Sequence, residues 1–207
     1  MDLLARIISV LVHPLLMGTY LCALLMLIFP AALEPVRPEN YPGFLMLIFL
    51  VTFLLPAINL FIFKLFGSIP SLSMPERRDR YVPFVFISLF YLIMTYLFYW
   101  KFGIDYNDNI FRFLLIMDFL VVGATLLTFF YRVSVHSLAV CGLLGIFVPL
   151  NKASEGSALL YATSACLLVA GAVMSARLQL NAHTPREILV GGVSGFIIGF
   201  VSMIVMF

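Results

Sequence analysis

The stretch IFRFLLIMDFLVVGATLLTFFY, residues 110–131, decides the fold class. Apart from Arg112 and Asp118 it carries no charge, and it is long enough for a helix to cross a hydrocarbon core, which takes about 20 residues. Polar and apolar residues do not alternate along it, as they would in a barrel strand, so its backbone hydrogen bonds must close within a helix. Working outward, the same reading gives spans at 3–29, 43–66, 83–100, 134–150, 157–176 and 185–206. The class is therefore all-α, a polytopic transmembrane helical bundle of about six or seven spanning helices, with 134–150 the shortest of them.

Composition agrees with this reading, at 63% hydrophobic and 11% charged residues where a soluble domain has about a quarter charged. The connections are short and marked by turn residues, among them Pro35, Pro38, Gly67, Pro70 and the segments 107–109 and 151–156, so 1–207 reads as a single transmembrane domain. A net charge of +2 with scattered basic residues argues against a nucleic-acid partner. Cys22, Cys141 and Cys166 each sit in an apolar run without a CxxC or His-rich neighbour, which points to neither a disulfide framework nor a metal site. The first run has one Arg6 ahead of it and no small-residue cleavage pattern, and reads as a retained helix.

An odd number of crossings alternates the connections between two faces. It puts the N-terminus and the segments 74–80, 131–136 and 177–187 on one arginine-rich face, which the positive-inside tendency would place in the cytoplasm. The last of these segments reads Ser175-Ala-Arg177-Leu-Gln-Leu-Asn-Ala-His183-Thr-Pro-Arg-Glu187 and sets a cation, an imidazole and a carboxylate in one loop. That set suits phosphoryl transfer, with the imidazole attacking phosphorus, the carboxylate orienting it and the arginine neutralising phosphate oxygens. Thr184 and Glu187 equally have the spacing of a capping box, in which Glu187 only closes the next helix; the two readings stand side by side. Ser134 and His136 would offer a hydroxyl and a proton donor beside a helix N-terminus, or else a cap and an interfacial histidine. Arg77, Arg78 and Arg80 are the densest charge run, ordinarily a membrane-surface anchor.

These three clusters together resemble a family. Arg177, His183 and Glu187 look like the third signature of the type 2 phosphatidic acid phosphatase (PAP2) superfamily, Ser-Arg-x5-His-x3-Asp. Ser134-Val135-His136 is similar to the second, Pro-Ser-Gly-His, and the run ending in Arg80-Tyr-Val-Pro83 stands in the place of the first, Lys-x6-Arg-Pro. The chain departs from these patterns at Ala176 for Ser, Glu187 for Asp, Val133 and Val135 for Pro and Gly, and Ser73 for the Lys. The resemblance implies a PAP2-like core over about 64–207 and metal-independent, cofactor-free hydrolysis of a lipid monoester phosphate or pyrophosphate. In it His183 would be the nucleophile and Glu187 its orienting group. His136 would protonate the leaving oxygen, and Arg177, Ser134, Arg80 and Arg77 would bind the phosphoryl oxygens. It further implies a multi-pass protein of the plasma (inner) membrane, in contact with membrane lipids, with the site on the extracytoplasmic face, opposite to the charge count. The loss of the first-signature Lys and of the second-signature Gly supports a rival reading beside this one: a non-catalytic transporter or scaffold that binds anionic lipid through a decayed site.

Three further features read structurally. His13-Pro14 suggests an interhelical hydrogen bond or a kink. Asp118, deep in its span, should be neutral or paired, with Lys64 or an arginine as the candidate partner. Gly191, Gly195 and Gly199, with Gly142 and Gly145, suggest a close contact between the two histidine-bearing helices.

Overall fold

The structure is a computed structural model that describes residues 2–72, 74, 76–153 and 157–207. Ser73, Pro75 and residues 154–156, which belong to two of the connections read above, lie outside the described residues. Among the described residues there is no strand. The α-helices are α1 (Asp2–Leu11), α2 (Met17–Ile28), α3 (Tyr41–Phe49), α4 (Leu55–Leu65), α5 (Tyr81–Phe102), α6 (Asn109–Phe130), α7 (Val135–Ala153), α8 (Ser157–Gln179) and α9 (Pro185–Met206). Among the described residues they make up seven segments long and apolar enough to cross a membrane, so the protein is an all-α polytopic membrane protein. Its outward leucines and aromatics fit lipid as the solvent: Leu27, Phe130 and Leu168 are each at least 76% exposed.

Three of the segments differ from the sequence reading. The first is interrupted, because Pro14 lacks an amide and opens a 3-10 turn, Pro14–Leu16, between α1 and α2. With ten residues α1 alone reaches about 15 Å, half of a hydrocarbon core. The second segment contains a π-helical turn, Leu50–Leu54, ahead of Pro56. The segment expected to end at residue 176 continues to Gln179, which puts Arg177 on the last helical turn rather than in a loop.

Contacts divide the chain into two compact units, Met1–Met17 with Val133–Phe207, and Gly18–Arg132. The first holds α1, α7, α8 and α9. Helices α7 and α9 meet backbone to backbone: a Cβ on Gly191 would lie 2.6 Å from the Ser134 carbonyl oxygen, and one on Gly195 would run into that of Leu138. Such an approach tolerates only glycine, and it sets the N-termini of the two helices side by side. Below them Val140, Cys141, Ala170 and Val173 form a core that Ile8 and Val12 of the amino-terminal segment cover.

In the second unit α5 and α6 are joined by Ser88 and Thr125 at 2.8 Å, and the Tyr91 hydroxyl donates to the Thr52 carbonyl of the π turn at 3.4 Å. Asp118 is 2% exposed on α6. It forms no ion pair with Lys64, which is exposed on α4; the hydroxyl of Thr95 is its polar neighbour, and neither group reaches full hydrogen-bond geometry.

Candidate active site

The site begins with the way α8 ends. Asn181 adopts a left-handed conformation at φ 49°, its amide donates to the Leu178 carbonyl at 2.9 Å, and the Ala182 amide donates to the Arg177 carbonyl at 3.1 Å. These are the paired bonds of a Schellman motif, which satisfies carbonyls that a helix end would leave open. The turn reverses the chain in a few residues, so His183 follows directly on the helix end that carries Arg177. A cation on a last turn is also favoured by the helix dipole.

Thr184 then caps α9. Its hydroxyl accepts from the Glu187 amide at 3.3 Å, while Glu187 Oε2 accepts from the Thr184 amide at 3.2 Å, a reciprocal capping box. The same Oε2 accepts from His183 Nδ1 at 2.8 Å. The two readings of Glu187 are therefore both present, through one oxygen. A carboxylate only accepts, so the His183 proton sits on Nδ1 and the lone pair is on Nε2. His183 and Glu187 are 8% and 9% exposed.

Ser134 lies against this N-terminus, its amide donating to the Glu187 carbonyl at 3.2 Å. Fully buried, it precedes α7 and accepts the Ser137 amide on its hydroxyl at 3.4 Å, with the Ser137 hydroxyl at 3.0 Å. The cap foreseen at Ser134 is thus present, and Ser137 extends it. Two residues after Ser134, His136 projects from the first turn of α7: its Nε2 donates to the Ser9 carbonyl at 3.1 Å, and its ring meets that of His13 edge to face with centroids 5.5 Å apart. Arg177, His13 and His183 all stand within electrostatic range of His136. Arg177 Nε is buried and makes no hydrogen bond among the described residues.

Five of the residues singled out in the sequence, Ser134, His136, Arg177, His183 and Glu187, therefore belong to the first unit and to the adjoining ends of α7, α8 and α9. Arg77 and Arg80 belong to the second unit. There Arg77 Nη1 donates to the Phe130 carbonyl at 2.6 Å, closing the C-terminus of α6, and its guanidinium lies 5.9 Å from the centre of the Tyr81 ring. Arg80 is buried, with Nε donating to the Met74 carbonyl at 3.0 Å. Ser9 is the neighbour that sequence reasoning passed over, and His13, read there as a hydrogen bond or a kink, was not tied to the site. The break signalled by His13-Pro14 was visible, but no local pattern ties it to residue 136.

The arrangement offers a buried imidazole with a lone pair on Nε2 and a carboxylate behind it, a second imidazole, a guanidinium with an unfilled donor, and two helix N-termini. Together these suit an oxyanion undergoing transfer. Compared with known proteins, the chain is matched by no family model, no curated protein and no solved structure.

Proposed function

We propose that this protein is an integral membrane phosphatase that removes a phosphoryl group from a lipid monoester phosphate or pyrophosphate through a phosphohistidine on His183. The observation that carries the reading is the 2.8 Å bond from His183 Nδ1 to Glu187 Oε2, which leaves the lone pair on Nε2, while Arg177 and His183 both lie within electrostatic range of His136. The resemblance of Arg177, His183 and Glu187 to a PAP2 signature supports the same assignment.

In the first half-reaction the Nε2 lone pair attacks phosphorus while the bond to the lipid oxygen breaks. That bond's electron pair goes to the lipid oxygen, which takes a proton from His136. Glu187 holds the His183 imidazolium through Nδ1, and Arg177 with the Ser134 hydroxyl binds the phosphoryl oxygens as charge builds on them. In the second half water attacks phosphorus, the N–P bond returns its pair to Nε2, and His136 accepts the water proton. Arg77 and Arg80 take no step in this mechanism; within the second unit they donate to the Phe130 and Met74 carbonyls. Candidate substrates are polyprenyl pyrophosphate, phosphatidylglycerol phosphate, phosphatidate and lipid A phosphates, and the reading places the site on the extracytoplasmic face of the plasma membrane.

The test is phosphate release from these lipids in detergent, with chelator present, by wild type, His183→Ala and His136→Ala. Turnover by wild type and its loss in both folded variants supports the proposal. Absence of turnover on every lipid phosphate defeats it and favours the non-catalytic, anionic-lipid-binding alternative.

A further inference from the structure

We infer that the amino-terminal segment is part of this site: the Ser9 carbonyl and the His13 ring are positioning groups that fix the tautomer and orientation of His136. The inference rests on the functional reading above. A carbonyl oxygen accepts and never donates, so the 3.1 Å contact with Ser9 assigns the His136 proton to Nε2. Nδ1 is then the nitrogen through which His136 exchanges a proton with the substrate. Ser9 is available for this because it lies in the last turn of α1, where carbonyls run out of amide partners.

His13 is itself fixed. Its Nδ1 accepts from the Leu15 amide at 3.3 Å as the N-cap of the turn that Pro14 opens, which puts its own proton on Nε2. Its ring then meets the His136 ring at 79°, an edge-to-face contact that blocks rotation of the second ring. Irregular backbone within an apolar segment is tolerated where it serves a protein interior or a cavity, and here the break delivers both the free carbonyl and the histidine. His136 stands to Ser9 as His183 stands to Glu187: each imidazole has an oxygen holding one nitrogen. The protonated phosphate monoester lends its proton to His136 Nδ1, which passes it to the lipid oxygen as that oxygen leaves; His136 keeps Nε2–H on Ser9 throughout, takes the water proton on Nδ1 in the second half and returns it to the departing phosphate.

The charged and titratable groups facing His136 are Arg177 on α8, His183 in the turn before α9, and His13 itself. The charges of Arg177 and His183 fix no tautomer; the Ser9 carbonyl does, and the His13 ring keeps the His136 ring turned toward it.

His13→Asn separates positioning from folding, since an asparagine oxygen still caps the Pro14 turn while the ring is gone. The experiment is 15N-histidine NMR of the full chain in detergent, at a pH where imidazoles are neutral, with each signal assigned by substitution. Wild type should show His136 as the Nε2–H tautomer and His13→Asn a mixture of tautomers. An unchanged, single tautomer in the variant overturns the inference, as does a wild-type signal showing Nδ1–H. Should His13→Asn not fold, His13→Ser, another capping side chain, replaces it.

Kinetics supply the second arm. His13→Asn should lower kcat/KM for an alkyl lipid phosphate by about tenfold or more, yet change that for p-nitrophenyl phosphate, whose leaving group needs no proton, by less than about threefold. Equal loss on both substrates contradicts a role through His136. The failures are distinguishable, because a wild type that releases no phosphate removes the phosphatase reading while the tautomer still decides the positioning.

Discussion

His183 Nδ1 and Glu187 Oε2 are 2.8 Å apart, and that same oxygen closes the capping box of α9, so one carboxylate both starts a helix and orients an imidazole. The two tasks respond differently to substitution. Glu187→Gln keeps an oxygen for the Thr184 amide but removes the charge behind His183. It should lower phosphate release by about a hundredfold while shifting thermal stability by less than about 1 kcal/mol. Release assays and melting curves on the same detergent preparation check both halves.

Thr184→Ala is the complementary change. It removes the hydroxyl that accepts the Glu187 amide at 3.3 Å and leaves the Nδ1 bond in place. Stability should fall by about 1 kcal/mol, with activity retained to a much greater extent than in Glu187→Gln.

The contact of α7 with α9 is tested by glycine substitutions. Gly195→Ala drives a methyl group into the Leu138 carbonyl, whereas a Cβ at Gly171 on α8 meets nothing within 4 Å. Gly195→Ala should cost about 1–3 kcal/mol of stability and reduce activity by displacing Ser134 from the N-terminus of α9. Gly171→Ala should melt like wild type, and equal behaviour of the two would contradict the close approach.

Asp118 offers a prediction of opposite sign. A buried carboxyl group without full hydrogen bonding costs about 1–3 kcal/mol, and Asp118 is 2% exposed in that condition. Replacing it with an apolar side chain, Asp118→Leu, should hold or raise the melting temperature. A clear fall would show that the carboxyl group is engaged in the native protein.

Much of this fold was legible because hydropathy is written contiguously. Residues 110–131 announce a span without reference to any other part of the chain, and α6 follows at Asn109–Phe130. Local chemistry was equally open to reading: His183, Thr184 and Glu187 lie within one helical turn, and both of their spacings were visible. The two meanings looked like rivals only because a spacing does not say whether one oxygen can serve two donors. What was hidden depends on helix rotation and on distant pairing. Ser9 and His136 are 127 positions apart, and nothing near either names the other. Lys64 was a reasonable partner for Asp118 by charge, but the depth of a residue along a span does not tell which way it faces. Arg177 was placed in a loop because Asn181, not the polar residues before it, ends α8.

The most direct measurement of the central claim is to trap the phosphorylated enzyme. Wild-type protein mixed with a 32P-labelled lipid phosphate and quenched in base should carry label that survives alkali and is released by acid, the behaviour of a nitrogen–phosphorus bond, and peptide mapping should place it on His183. His183→Ala should carry none. Label that persists in His183→Ala, or active wild-type enzyme that never becomes labelled under rapid quench, would contradict the account.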